Sequence, residues 1–163
     1  MTDSPATPGT VYEALVQIGI IDQLASSALE RVLPDGLRLA HFTLLTHLSR
    51  RGGAWSPARL ANALQVTRGA ITNTVARLES RGLVKVTPDP DDGRGKMVRL
   101  TGAGAELHAR AIAAAVERLS VLSDRFTQSE FEAVLPFLNA LRDLLDRERP
   151  QWNEASGRAE PER

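Results

Sequence analysis

Apolar residues recur every three or four positions along most of the chain, and turn-forming residues separate these runs. In the first run, Val11, Leu15 and Ile18 have the spacing of one helix face. A Pro-Asp-Gly turn at residues 34–36 stops this helix. The pattern therefore predicts a mainly helical chain, with helices over residues 10–33, 38–50, 57–64, 68–81, 102–124 and 128–149.

Two short helices in the middle of the chain carry clear start and stop signals. Ser56 precedes a proline, so its hydroxyl can cap the helix at 57–64 while proline occupies the first helical position. Thr67 can cap the next helix, and Gly82 is placed to end it. Because only a short turn separates the two helices, the order is that of a helix-turn-helix.

A change to alternating apolar and polar residues follows. Residues 83–87 and 96–100 have strand periodicity, and the segment between them is rich in proline, aspartate and glycine. The predicted fold is mainly α with a small β-wing, namely a winged helix-turn-helix lobe over residues 37–101. Helical dimerisation segments at 10–36 and 102–149 flank this lobe. The polar ends, 1–9 and 150–163, are expected to be disordered and flexible.

The flanking helices have apolar stripes that are broader than one small core requires. Two arrangements can bury them, an intramolecular bundle or pairing with the same helices of a second copy. Helix-turn-helix proteins that read DNA commonly use two-fold symmetry, so we expect a homodimer.

Charge is distributed unevenly, although the net charge of the 163 residues is zero. The segment from Arg50 to Arg99 holds ten basic and four acidic residues, a net charge of +6, so the remainder carries −6. A basic middle with acidic flanks favours a polyanionic partner that meets one face. A solvated charged surface is the alternative.

Several classes of function are disfavoured. The chain has no cysteine, which excludes disulfides and thiol chemistry. No apolar run is long enough to span a membrane, the first residues lack a signal-peptide pattern, and a cytoplasmic location is expected. No enzyme motif is present, and no cofactor is expected. His41 and His47 are six positions apart and would point in different directions on one helix, so we expect no metal site.

The helix predicted at 68–81 is the main candidate for reading DNA. Ile71, Val75 and Leu78 share one face, which would pack on the domain. The major groove admits a helix whose outward side chains are small or hydrogen-bonding, with Asn73 suited to adenine and Arg68 to guanine. Serine and threonine hydroxyls can bond phosphates. The candidate residues on the two short helices are Ser56, Thr67, Arg68, Thr72, Asn73 and Arg77.

The predicted wing adds a second group of candidates. Arg94 lies between two glycines at the tip, where an exposed arginine suits a narrow, electronegative minor groove. Lys96 and Arg99 can hold phosphates at the base of the wing. Asp92 can orient Arg94 or bond the loop backbone, and an ordinary turn aspartate is an equal alternative.

His41 and Trp55 are candidates for lining a ligand pocket. For His41, a buried histidine whose ring bonds the backbone is the competing interpretation. For Trp55, packing against the wing strands is the competing interpretation.

The stretch from LANAL through VTRGAITNTVARLESRGLV to DPDDGRGKMVRLT resembles the winged helix-turn-helix of the MarR family of bacterial transcription regulators. The match includes the Asp-x-Arg of the wing at Asp92 and Arg94, whereas Gly93 stands where family wings often carry a second basic residue. The resemblance implies an obligate homodimer on pseudo-palindromic double-stranded DNA, with Arg68 and Asn73 in the major groove and Arg94 in the minor groove.

The same resemblance implies a repressor that releases DNA when a small aromatic or lipophilic ligand binds. The alternative function is a winged-helix protein-interaction module without specific DNA binding. Such a module would need no basic reading face.

Overall fold

The computed structural model describes residues 4–90, 92 and 95–156. The helices are α1 Pro8–Glu30, α2 Leu39–Arg51, α3 Pro57–Leu64, α4 Arg68–Ser80, α5 Gly102–Ser123 and α6 Gln128–Ser156. A 3-10 turn spans Pro34–Gly36, and the two strands are β1 Val84–Pro88 and β2 Lys96–Leu100. The prediction of a mainly helical winged helix-turn-helix is confirmed. No helix of the described residues is both long enough and apolar enough to cross a membrane.

The chain forms two compact units, Met1–Arg118 and Leu119–Arg163. The core of the first unit lies where α2, α3, α4 and the hairpin meet, and its largest fully buried side chains are Leu44, Leu45, Leu48, Leu60, Leu78 and Val98. Most residues of this core are leucine or valine, and the removal of apolar side chains from water is the main favourable contribution to folding.

The capping signals in the middle of the chain produce the helices that they predict. The Ser56 hydroxyl accepts the Arg59 backbone N–H at 3.3 Å, and the Thr67 hydroxyl accepts that of Ala70 at 3.1 Å. Between the two helices, Gln65 adopts a left-handed conformation with φ of 56° and turns the chain. Local hydrogen bonds and one unusual backbone angle thus set the helix-turn-helix.

The wing is a two-stranded antiparallel hairpin in which Val84 pairs with Leu100 and Pro88 with Lys96. The first strand begins one residue later than the sequence predicts. Trp55 forms an additional bridge to β2, with backbone hydrogen bonds of 3.0 and 2.9 Å to Val98. The base of the wing is therefore tied directly to the segment that leads into α3.

Both chain ends are more helical than predicted. The expectation of disorder is wrong for residues 8 and 9, because Thr7 accepts the Thr10 N–H and Pro8 fits the first turn of α1. At the other end, α6 continues to Ser156, into the segment that the sequence predicts to be a flexible tail.

In the second unit, α6 begins with the predicted capping box. The Thr127 hydroxyl accepts the Glu130 N–H at 3.3 Å, and the Glu130 carboxylate accepts the Thr127 N–H at 2.7 Å. The Thr127 backbone N–H, and the Thr127 hydroxyl donating to the same carboxylate at 2.8 Å, hold the pKa of the Glu130 carboxyl below its ordinary value. From residue 128 to 148, no residue of α6 is buried, although the helix is rich in leucine and phenylalanine.

Candidate nucleic-acid interface

The two faces of α4 separate cleanly into buried and exposed positions. Ile71, Val75 and Leu78 are buried in the core, as their spacing predicts. Asn73 and Arg77 are exposed on the other side, and so is Arg68 at the first helical position. The packing of α4 therefore uses only its apolar face and leaves the predicted reading residues available.

Asn73 and Arg77 form one hydrogen-bonded unit on this exposed side. The Arg77 Nε donates to the Asn73 Oδ1 at 3.2 Å, across one helical turn. This bond occupies an acceptor position of the amide and leaves its two N–H donors outside the contact. A base that offers acceptors can meet both side chains at once.

The threonine hydroxyls have local partners. Thr67 caps the helix, and the Thr72 hydroxyl donates to the Arg68 carbonyl at 2.8 Å. A hydroxyl has one proton to donate, and a phosphate oxygen can only accept. Thr72 must therefore release the Arg68 carbonyl before it can donate to DNA, whereas Thr67 uses an oxygen lone pair for its cap.

Lys96 and Arg99 are exposed on β2, with the buried Val98 between them. The strand register places Arg99 directly opposite Lys85, which is exposed as well. Like charges directly opposite each other destabilise a hairpin, so this pair is costly without an anion. Lys85 is not among the residues that the sequence predicts for the site. Its pairing with Arg99 depends on the strand register, and β1 begins one residue later than predicted.

The exposed cations of this face form no ion pair with any carboxylate of the described residues. Within the described residues, no ion pair involves Arg68, Arg77, Lys85, Lys96 or Arg99. An anion that binds here need not displace a carboxylate.

The wing tip is closed by backbone hydrogen bonds. The Gly95 N–H donates to the Asp92 carbonyl at 2.7 Å, and the Asp89 N–H donates to the Gly95 carbonyl at 3.0 Å. A Cβ on Gly95 would lie 2.9 Å from the Cβ of Asp89, so the turn requires glycine. Asp92 is exposed, while Arg94, Gly93 and Asp91 lie outside the described residues.

His41 is buried, and its ring bonds the backbone. Its Nδ1 accepts the Arg38 N–H at 3.1 Å, at the start of α2. Burial holds the pKa of the His41 imidazole below 6.5, and the positive charges of Arg81, Arg77 and Arg38 lower it further. This geometry agrees with the competing interpretation of His41 as a structural histidine.

Trp55 packs at the base of the wing. Its indole N–H donates to the Gly52 carbonyl at 2.9 Å, and the Arg59 guanidinium lies 4.5 Å from its ring centroid. The ring of His47 meets it edge-on at 4.5 Å. The backbone bridge between Trp55 and Val98, rather than these three contacts, agrees with packing on the wing strands. The ring contact accompanies Arg59 on the exposed side of α3, a position that the sequence pattern did not single out.

One cavity of about 400 Å³ lies in the second unit, at the turn between α5 and α6. Residues 123–128 and Phe131 line it. Neither His41 nor Trp55, the two predicted pocket residues, lines this cavity. The ligand pocket remains a prediction.

Comparisons with known proteins agree with this geometry. A model of the MarR family matches residues 35–95. The HTH-type transcriptional repressor NicR of Pseudomonas putida is 34% identical over 94 residues, which cover 58% of this chain and 60% of that protein. An uncharacterized HTH-type transcriptional regulator of Mycobacterium bovis is 31% identical over 108 residues, which cover 66% of this chain and 75% of the relative.

A solved structure gives the same fold together with its nucleic acid. A MarR family transcriptional regulator from Streptomyces coelicolor, in complex with DNA, superposes with a TM-score of 0.68 at 27% identity. The match covers 88% of this chain and 93% of that one. Fold and sequence therefore agree well beyond the helix-turn-helix itself.

Proposed function

The chain belongs to the MarR family of winged-helix transcription regulators, and we propose that it acts as a dimeric, sequence-specific repressor. The proposed site is a pseudo-palindromic duplex that two copies of the lobe contact together. A small aromatic or lipophilic ligand then releases the protein from DNA. Family membership confirms the prediction of a DNA-binding regulator rather than an enzyme.

The main support for this proposal is that α4 exposes side chains suited to reading bases. Arg68, Asn73 and Arg77 are exposed there, and no carboxylate of the described residues neutralises the two arginines. In the major groove, arginine pairs with guanine and the asparagine amide pairs with adenine. Each good bidentate pair discriminates against the wrong base by about 1–3 kcal/mol.

The wing supplies the backbone contacts in this proposal. Lys85, Lys96 and Arg99 are exposed cations on the hairpin, and phosphate contacts fix the register of a protein on DNA without reading its sequence. Arg94 is assigned to the minor groove from its place at the tip and from the family resemblance.

A second copy is proposed because the apolar faces of the flanking helices are open. In α1, Ile20, Ile21 and Leu24 lie on one side of the helix and are 46%, 62% and 66% exposed. In α6, Phe131, Leu135 and Leu138 lie on one side and are 44%, 50% and 36% exposed. Contiguous exposed apolar side chains mark interaction sites in soluble proteins, and a two-fold partner would present the same faces.

Repression and ligand release are proposed from relatives. NicR is named a transcriptional repressor, and the family resemblance supplies the ligand step. Release is tested by titrating a panel of small phenols into the protein–DNA complex. If none of the phenols dissociates a complex that binds its duplex specifically, release by such a ligand is refuted, whereas the role as a DNA-binding regulator stands.

DNA binding is tested with a duplex that the protein itself enriches from a random-sequence pool. The logarithm of affinity should fall linearly with the logarithm of salt concentration, because phosphate contacts release counterions. Arg99→Ala should reduce that slope by about one and lower the affinity for all duplexes equally. Asn73→Ala should instead relax the base preference at one position per half-site.

Arg142→Ala is the matched control, because it removes an exposed arginine from α6 in the second unit. It should bind like the unmodified protein. The protein-interaction alternative predicts a different outcome, in which no duplex is enriched and the three variants are indistinguishable.

A further inference from the structure

Asp35 has an unusual backbone conformation in the turn between α1 and α2. Its φ and ψ are 54° and 33°, in the left-handed region, and Gly36 follows with φ of 64°. Aspartate tolerates this region better than most residues because its short polar side chain bonds locally. Here the side chain makes a long-range contact instead.

Two arginines from distant parts of the chain meet Asp35. The Arg81 Nη2 donates to its carbonyl oxygen at 2.9 Å, and the Arg110 Nη2 donates to its carboxylate at 2.6 Å. Arg81 is the C-terminal cap of α4, and Arg110 lies on α5 within the first unit. A single turn residue thus touches the helix that carries the reading residues and the helix that follows the wing.

The turn itself is fixed to the core. Leu33 and Leu37, on either side of it, are buried at 9% and 2% exposure. Asp35 therefore offers its two acceptors at defined positions, although the Arg110 and Asp35 side chains are 60% and 50% exposed. An ion pair this exposed adds little to folding stability, so its effect should appear in the orientation of what it holds.

We propose that Asp35 is a positioning residue for DNA recognition, which sets the end of α4 relative to α5 through Arg81 and Arg110. The proposal rests on the DNA-binding function given above. It concerns residues that lie off the reading face and act through the direction of α4.

The test compares Asp35→Asn with Arg110→Gln. Asparagine retains access to the left-handed conformation, so the first variant removes the charge without straining the turn. Affinity is measured for the duplex enriched by the unmodified protein and for a scrambled duplex of the same composition. Arg142→Gln breaks the exposed Arg142–Asp143 pair of the second unit and is the control.

The two variants change net charge in opposite directions, which separates positioning from simple electrostatics. If Asp35 is a positioning residue, both variants should lower the affinity for the enriched duplex, by roughly threefold to thirtyfold. The melting temperature should stay unchanged, and Arg110→Lys should restore binding. The proposal is overturned if one variant raises and the other lowers the affinity for both duplexes. It is also overturned if the loss of affinity parallels a fall in melting temperature.

Amide hydrogen exchange, measured in the absence of DNA, tests the positioning role separately from DNA binding. Both variants free the Asp35 turn from Arg110, and the carbonyl that Arg81 bonds moves with that turn. Both should therefore raise exchange in the last turn of α4, at residues 78–81, and the control should not. Unchanged exchange there overturns the positioning role even if the protein binds DNA. Failure of the unmodified protein to enrich any duplex overturns the proposed function instead.

Discussion

An imidazole caps α2 at a position where a glutamate or glutamine would be usual. His41 is the third helical residue, and its Nδ1 accepts the backbone N–H of Arg38 in the manner of a capping box. Only the neutral ring with Nδ1 unprotonated can accept that bond. Burial and three neighbouring arginines hold the pKa of the ring below 6.5.

Stability should therefore fall as the pH drops below about 6.5. The unfolded chain takes up the proton at the ordinary histidine pKa, while the folded chain resists it, so protons favour unfolding. Burial also lowers the pKa of His47 and His108, which adds to the same trend. Thermal melting across this pH range measures it.

His41→Gln is the variant that isolates this residue. Glutamine can accept the same N–H without titrating, so the melting temperature should depend less on pH than in the unmodified protein. Parallel pH profiles for the two proteins would contradict the role assigned to His41.

Among the structural elements, α5 depends on one glycine. A Cβ on Gly104 would lie 2.0 Å from the Leu83 carbonyl oxygen and 2.8 Å from Leu100 Cδ1. The start of α5 therefore touches the backbone at the entrance to β1, and this approach joins the wing to α5. The Thr101 hydroxyl strengthens the joint by donating to the Gly82 carbonyl at 2.7 Å.

Gly104→Ala should destabilise the first unit by about 1–3 kcal/mol or more, the usual cost of overpacking. Gly102→Ala is the matched control in the same turn, because no atom lies within 4 Å of its added Cβ. The control should be neutral or stabilising by about 0.4–1 kcal/mol. Denaturant unfolding measures the free energy of unfolding of both variants. Equal values would refute the close contact at Gly104.

For the whole molecule, the exposed apolar faces of α1 and α6 are the surfaces that a second copy would bury. Ile21→Asp and Leu135→Asp place a charge on one face each, at positions that are 62% and 50% exposed. If a second copy buries these faces, either charge should shift the protein from dimer to monomer, because a buried unpaired charge is costly.

Sedimentation at micromolar concentration measures this shift. Val66→Asp is the control, since Val66 is a 43% exposed apolar residue in the helix-turn-helix turn. It should remain dimeric. A monomeric unmodified protein would contradict the dimer, and with it the reading of a two-fold symmetric site.

The sequence by itself determined the elements and the chemical character of the exposed α4 face. Ser56, Thr67 and Gly82 act over a few residues, through a hydrogen bond or a backbone angle, and the structure has the caps and the stop where they predict them. The burial of Ile71 follows from helical periodicity alone. Signals of this range are legible because both partners lie within one or two turns.

The tertiary structure decided the contacts between elements. Asp35 meets Arg110 across 75 positions, and Lys85 faces Arg99 only because the hairpin has one particular register. These relations depend on how the core packs, and side-chain pairs this far apart in sequence leave no periodic pattern by which they could be foreseen.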